Sequence, residues 1–145
     1  MRLGKDAKVE LLKNVPLFSR LDKKALQDVA HIADELDLPA GKEMAVEGDR
    51  GREFFVLLDG EAEVNRRGAR INTMKEGDFF GEISILSGKP RSATVTAMSH
   101  CEMLELDRAT LDEITARLPN VRHVLEEFYL ARAMNTAESP GPTPA

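Results

Sequence analysis

Between Leu36 and Leu106 the chain never runs far without a glycine: Gly41, Gly48, Gly51, Gly60, Gly68, Gly77, Gly81 and Gly88 divide it into short apolar runs. Breaks this close leave no room for helices of ordinary length, which suffer about 1 kcal/mol from each interior glycine. Strands fit. Residues 54–58 (FFVLL), 61–64 (EAEV) and 70–74 (RINTM) have strand length, and turns at this frequency point to an all-β sandwich or roll.

The flanks have a different period. Residues 6–15 form a weak amphipathic helix that Pro16 breaks. Asp22 stands as an N-cap before Leu26, Val29, Ala30, Ala33 and Leu36 at helical spacing. After the strand at 100–106, Asp107 caps a helix carrying Leu111, Ile114 and Leu118, which Pro119 ends. Asn120 is predicted to cap a last helix with Val121, Val124, Leu125, Phe128 and Arg132 along one stripe. Residues 136–145 are rich in proline and small residues and are expected to form a disordered tail, leaving residues 1–135 as one domain.

Composition excludes several classes of function. A formal net charge of −5 argues against a nucleic-acid surface, so any phosphate binding must be a local effect. One cysteine, Cys101, allows no internal disulfide and suits a reducing compartment; within an alternating run it reads as a structurally inert strand residue. The absence of a membrane-length apolar run and of an apolar signal core near the N-terminus leads to the expectation of a soluble, cytoplasmic chain with no membrane span. The three histidines, His31, His100 and His123, are scattered and make no close ligand pair, so neither a metal centre nor an enzyme is expected.

Residues 79–95 (FFGEISILSGKPRSATV) hold the chemistry. Gly81 permits a backbone angle that other residues resist and lets a ligand come close to the main chain. A short helix opening after it, stopped by Ser-Gly-Lys-Pro, would aim the N–H groups of Ile83 and Ser84 at an anion. Pro90 favours an extended approach, which brings in Arg91, whose planar guanidinium can hold two phosphate oxygens at once. Ser92 adds a hydroxyl and an N–H. Glu82, a carboxylate beside a bound anion, makes sense where it accepts hydrogen bonds from ligand hydroxyls, such as a ribose 2′-OH.

This stretch resembles the phosphate-binding cassette of cyclic nucleotide-binding domains, with Phe80, Gly81, Glu82, Pro90, Arg91, Ala93, Thr94 and Val95 at that family's spacing. Weaker family signatures occur in the same order: Pro16-Leu17-Phe18, Gly48-Asp49, Phe54-Phe55 and Gly60. The resemblance covers roughly residues 12–134 and implies a mainly β fold, a β-roll (double-stranded jelly roll) with N-terminal helices and two C-terminal helices. It implies a stand-alone sensor of the catabolite-activator or bacterial channel type. The ligand would be held by Gly81, Glu82, Ile83, Ser84, Arg91, Ser92 and Ala93. Val64, Ile71 and Met74 would line the base pocket. The last helix would supply a lid from among Leu125, Phe128, Tyr129 and Arg132, with Arg132 stacked over the base.

Members that prefer cGMP commonly carry threonine where this chain has Ser92, whereas bacterial cAMP-binding members show Arg-Ser-Ala. The resemblance thus favours cAMP as ligand, cGMP second, with no further cofactor. Signalling would run through the C-terminal helices to an effector protein or a homodimer formed through the last helix. No helix-turn-helix follows that helix within the chain, so no nucleic-acid partner is expected. The alternative is a degenerate domain that binds no ligand and serves as a protein-interaction module.

Overall fold

The computed structural model describes residues 5–134, apart from the side chains of Lys5, Asp6, Glu82, Ile83, Leu86 and residues 132–134. Two helices come first, α1 (Lys5–Lys13) and α2 (Lys23–Ile32), with a 3-10 turn at Pro16–Phe18 between them. Five strands follow: β1 (Asp34–Leu38), β2 (Glu43–Ala45), β3 (Glu53–Asp59), β4 (Ala62–Arg66) and β5 (Ala69–Met74). The pair β6 (Phe79–Phe80) leads into the short helix α3 (Glu82–Ser87), and β7 (Thr94–Ala97) and β8 (Cys101–Asp107) complete the sheets. The helices α4 (Arg108–Arg117) and α5 (Pro119–Met134) follow.

The strands form two four-stranded antiparallel sheets, ordered β1-β8-β3-β6 and β2-β7-β4-β5. This is the mainly β roll with flanking helices that the glycine spacing and the family resemblance imply.

The apolar run at 54–58 explains how the layers are held. Side chains alternate faces along a strand, so a strand apolar at every position must separate two cores. Phe54, Val56 and Leu58 join Leu104 and Leu106 in a cluster roofed by Leu12 and Phe18 at the N-terminal end, Leu26 and Val29 of α2, and Leu111, Ile114, Val121 and Leu125 of α4 and α5. Phe55 and Leu57 face the roll interior with Val64, Met74, Phe80, Val95 and Met103. Each fully buried side chain of this size contributes about 1.5–3 kcal/mol, so β3 stabilises both halves at once.

Helix starts follow the predicted chemistry at two of three positions. Asp22 accepts from the Ala25 N–H at 2.8 Å and Asp107 from the Thr110 N–H at 2.7 Å. The Thr110 bond holds the Asp107 carboxyl below its usual range. Asn120 is not a cap. α5 begins with Pro119, and the Leu118 carbonyl accepts from the N–H groups of Val121 (3.0 Å) and Arg122 (3.3 Å). A proline at the first helical position forfeits no helical bond, because the N–H there has no intrahelical acceptor.

Cys101 is fully buried, with Sγ 3.4 Å from the Glu61 carbonyl oxygen, and burial pushes its thiol up, so it remains protonated. Among the described residues no helix is long and apolar enough to cross a membrane. The assignment of residues 136–145 as a tail lies outside the described residues.

Glu105 is the strained charge of the first sheet. It pairs in register with Asp34 and Phe55, and burial first, then the carboxylates of Glu53, Asp34 and Asp107, pushes its carboxyl up. The folded state therefore holds this proton to higher pH than the unfolded chain does. Stability falls as pH rises from the ordinary carboxylate range through the raised value, and the penalty persists above it. Glu105→Gln is expected to raise the melting temperature at pH 8 and to leave it unchanged below pH 4, measured by thermal unfolding across pH.

Candidate functional site

Arg91 is built into the roll by its own backbone first. Its N–H donates to the Asp49 carbonyl at 2.7 Å, and its carbonyl accepts from the Gly48 N–H at 2.9 Å, while Pro90 bridges to Arg50. These bonds tie the start of β7 to the loop between β2 and β3. The side chain then runs inward and is only 5 % exposed. Its Nη2 donates to the Glu53 carbonyl at 2.7 Å, and its Cζ lies 5.7 Å from the centroid of the Phe55 ring, itself stacked on Phe80 at 4.7 Å. A cation over an aromatic face is attracted by the ring quadrupole.

Two glycines make the space. A Cβ on Gly51 would sit 2.5 Å from Arg91 Nε and 2.6 Å from both Arg91 Cζ and Ser84 Cβ. A Cβ on Gly81 would sit 2.7 Å from Arg91 Nη1 and 2.6 Å from the Glu53 carbonyl oxygen, and Gly81 has φ +104°. The guanidinium is therefore confined between two main-chain segments that only glycine allows so near.

Gly81 is also the N-cap of α3. The first helical bond runs from the Ile85 N–H to the Gly81 carbonyl at 3.0 Å, so the N–H groups of residues 82–84 precede the helical ladder and have no acceptor within it. The Ser84 side chain is 2 % exposed, and its hydroxyl has no hydrogen-bond partner among the described residues. At the other end Gly88 closes the helix, and Arg108 of α4 donates from Nη1 to the Ile85 carbonyl at 2.8 Å. A cavity of about 460 Å³ opens beside α3, lined by Arg50, Gly51, Arg52, Ser84, Ile85 and Arg108 among others.

The structure brings Gly81, Ser84 and Arg91 together. Ser92 follows at the half-buried edge, its carbonyl accepting from Arg66 Nε at 3.0 Å, and Ala93 is sealed in the roll interior. The backbone of residues 82 and 83 forms the first turn of α3, but the carboxylate of Glu82 and the side chain of Ile83 lie outside the described residues, as does the guanidinium of Arg132.

Of the three predicted wall residues, Val64 and Met74 are buried in the interior cluster. Ile71 is 42 % exposed and lies outside it; Asn72, not Ile71, pairs in register with Val64. The register shifts at this point, Arg70 pairing with Asn65 and Asn72 with Val64, so Ile71 is the extra residue of a β-bulge in β5. Leu125 belongs to the helical core, and Phe128 meets Phe79 edge-on at 5.0 Å. In this structure both anchor α5 to the roll, and Tyr129 is half-buried beside them.

Sequence reading missed Gly51, Phe55 and Arg108. Gly51 reads as one more turn former, and its role depends on a loop that meets Arg91 forty residues later. Phe55 was legible only as part of the 54–58 strand and of the Phe54-Phe55 signature.

Without any ligand, Arg91→Ala would leave the Glu53 carbonyl unpaired and the Phe55 face uncovered. We expect a loss of about 1–3 kcal/mol of unfolding free energy, measured by urea denaturation; unchanged stability would show that the Arg91 side chain does not help to hold β3 at Glu53 and Phe55.

Comparison with known proteins gives a consistent result. Residues 35–117 match the sequence profile of the cyclic nucleotide-binding domain. The chain is 34 % identical over 112 residues to the cAMP-dependent protein kinase regulatory subunit of Emericella nidulans, an alignment covering 76 % of this chain and 27 % of that protein. It thus spans about a quarter of the length of this relative. The fold is similar to that of the Thermus thermophilus catabolite activator protein, with TM-score 0.75 and 28 % identity over 84 % of this chain and 59 % of that one. It is also similar to a structure described as Sp-2Cl-cAMPS bound to PKAR CBD2, with TM-score 0.74 and 26 % identity over 96 % of this chain and 98 % of that one.

Proposed function

The chain belongs to the cyclic nucleotide-binding domain family, and from that premise we propose that it binds a cyclic nucleotide, cAMP in preference to cGMP, as a regulatory sensor and not as an enzyme. The observation that carries the reading is the pair of arginines at the two ends of one short helix, α3. Arg108 sits at the C-terminal end of α3, where a cation suits the exposed carbonyls, and it donates to one of them. Arg91 sits at the N-terminal end, where the free N–H groups are already positive. A buried guanidinium there adds to the positive end of the helix, and the two together suit an anionic ligand.

A cyclic phosphate supplies that anion. Its oxygens take the N–H groups of residues 83 and 84 and the Arg91 guanidinium, with Ser92 and the Ser84 hydroxyl within the same region. Glu82 follows Gly81 directly, which suits its carboxylate to the ribose 2′-OH beside the phosphate. Val64, Ile71 and Met74 are the candidate walls for the base, with Ile71 presenting the exposed apolar surface. Arg132, on the last turns of α5, is the candidate cover. The relatives named for cAMP and the Arg-Ser-Ala sequence at 91–93 support cAMP over cGMP.

The output would pass through the helices. α3 is tied to α4 by Arg108, and β6, which leads into α3, is tied to α5 by Phe79 and Phe128. A shift of α3 onto a phosphate would strain both ties and so bias α4 and α5, by no more than the ligand's differential affinity for the two arrangements. The receiver would be an effector protein or a second copy meeting α5.

Titration calorimetry on protein stripped of co-purified nucleotide tests this directly, with cAMP expected to bind and cGMP to bind more weakly. Removing one partner of a buried charge pair costs about 3–5 kcal/mol, so Arg91→Ala should weaken cAMP binding by several orders of magnitude. Arg91→Lys should not restore it, because an ammonium cannot bridge two oxygens in the same plane. Failure of the stripped protein to take up any 3′,5′-cyclic nucleotide would favour the degenerate interaction module instead.

Arg132→Ala should cost a further, smaller amount, about 1–2 kcal/mol of binding free energy. Unchanged affinity in the same titration would remove Arg132 from the lid.

A further inference from the structure

The far end of the first sheet holds a second cluster of charged groups that the cyclic-nucleotide reading does not use. Strand register places Asp37 of β1 directly opposite Glu102 of β8, and Asp59 of β3 opposite Glu102 on the other side. Like charges directly opposed across strands are destabilising. Glu102 is moreover buried, at 5 % exposure, and its Oε2 has no hydrogen-bond partner among the described residues. A carboxylate withdrawn from water needs a cation or a full set of donors.

His100 meets this pair from the turn before β8. Its Nε2 contacts Asp37 Oδ1 and lies 3.9 Å from Glu102 Oε1. One imidazole nitrogen and two carboxylate oxygens thus lie within 4.8 Å of one another. Histidine spacing alone predicts no metal centre in this chain, but the fold supplies carboxylates where the sequence offers no second histidine.

We propose that Asp37, His100 and Glu102 form a binding site for a divalent transition-metal cation of the zinc class. Zn²⁺ accepts both imidazole nitrogen and carboxylate oxygen, with water completing the tetrahedron, whereas Mg²⁺ and Ca²⁺ take sets made of oxygen. Zinc–ligand bonds of about 2.0–2.2 Å put tetrahedral ligand atoms about 3.4 Å apart, so His100 Nε2 and Asp37 Oδ1, in direct contact here, would part to admit the ion while Glu102 closes in. The cation would offset the opposed carboxylates, give Glu102 its missing partner and staple β1 to β8. Arg91 meets β3 at Glu53 and the cluster lies beside Asp59, six residues along, so the two sites are roughly 20 Å apart at strand rise.

The test is zinc titration of the full chain by calorimetry, with metal content read after gel filtration, for the wild type, His100→Gln and His123→Gln. His123 is an exposed partner of Glu127 on α5 and serves as the control for adventitious histidine binding. We expect one equivalent of Zn²⁺ in the wild type and in His123→Gln. Binding should be at least about tenfold weaker in His100→Gln, since losing even an outer-shell partner costs that much. Mg²⁺ at the same concentrations should not compete. Unchanged zinc affinity in His100→Gln, equal competition by Mg²⁺, or no saturable zinc binding by the wild type would each overturn the proposal.

Discussion

A guanidinium held at the positive end of a helix is the arrangement on which the proposed function of this molecule depends. Arg91 reaches that place because Pro90 keeps the chain extended, because Asp49 and Gly48 hydrogen-bond its backbone, and because Gly51 and Gly81 leave out the side-chain atoms that would collide with it. The Glu53 carbonyl and the Phe55 face then hold the head group. Each contact compensates part of the cost of burying a charge. They fix the head group beside the N–H groups that open α3, a preorganised setting for the anion proposed to bind there. Preorganisation of this kind saves the ordering cost that a flexible surface arginine would incur on binding.

The same geometry explains why β3 is the apolar centre of the sequence. Its two faces belong to different cores, and its first residues are also the wall behind Arg91. Phe55 packs into the roll interior on Phe80 while carrying the guanidinium, and Phe54 packs on Phe79, which in turn meets Phe128 of α5. The two aromatic pairs run through adjacent positions of β3 and β6, one facing the roll interior and one the helical side. A displacement at β6 therefore reaches both cores through rigid rings.

What could be read from sequence was local in the chain. The caps at Asp22 and Asp107 act within three residues, the turns are set by single glycines, and the cassette lies in one stretch of seventeen residues. What could not be read required register or long-range approach. Gly51 acquires its meaning only when the loop at 48–53 folds against position 91. Ile71 lies where the register of β4 and β5 shifts, an irregularity that the alternating pattern of the sequence does not announce. His100 looked isolated because its partners come from a strand sixty residues earlier and from two residues beyond it in β8. The start of α5 was misplaced by the competition between two good opening residues, which tertiary packing resolved for Pro119.

The asymmetry of α3 also bears on how binding could be transmitted. At its C-terminal end the Ile85 carbonyl is one of those with no helical donor, and Arg108 fills that need while standing at the first residue of α4. Arg108 is in addition paired with Asp112 one turn along α4. The link is thus made to a rigid helix start, which Asp107 caps, and not to a flexible loop. An anion drawing the N-terminal end of α3 toward Arg91 would tilt a six-residue rod whose other end is clamped to α4. Such a short helix cannot bend to absorb the movement, so the displacement has to appear either as a broken Arg108 bond or as motion of α4 and the α5 that packs on it.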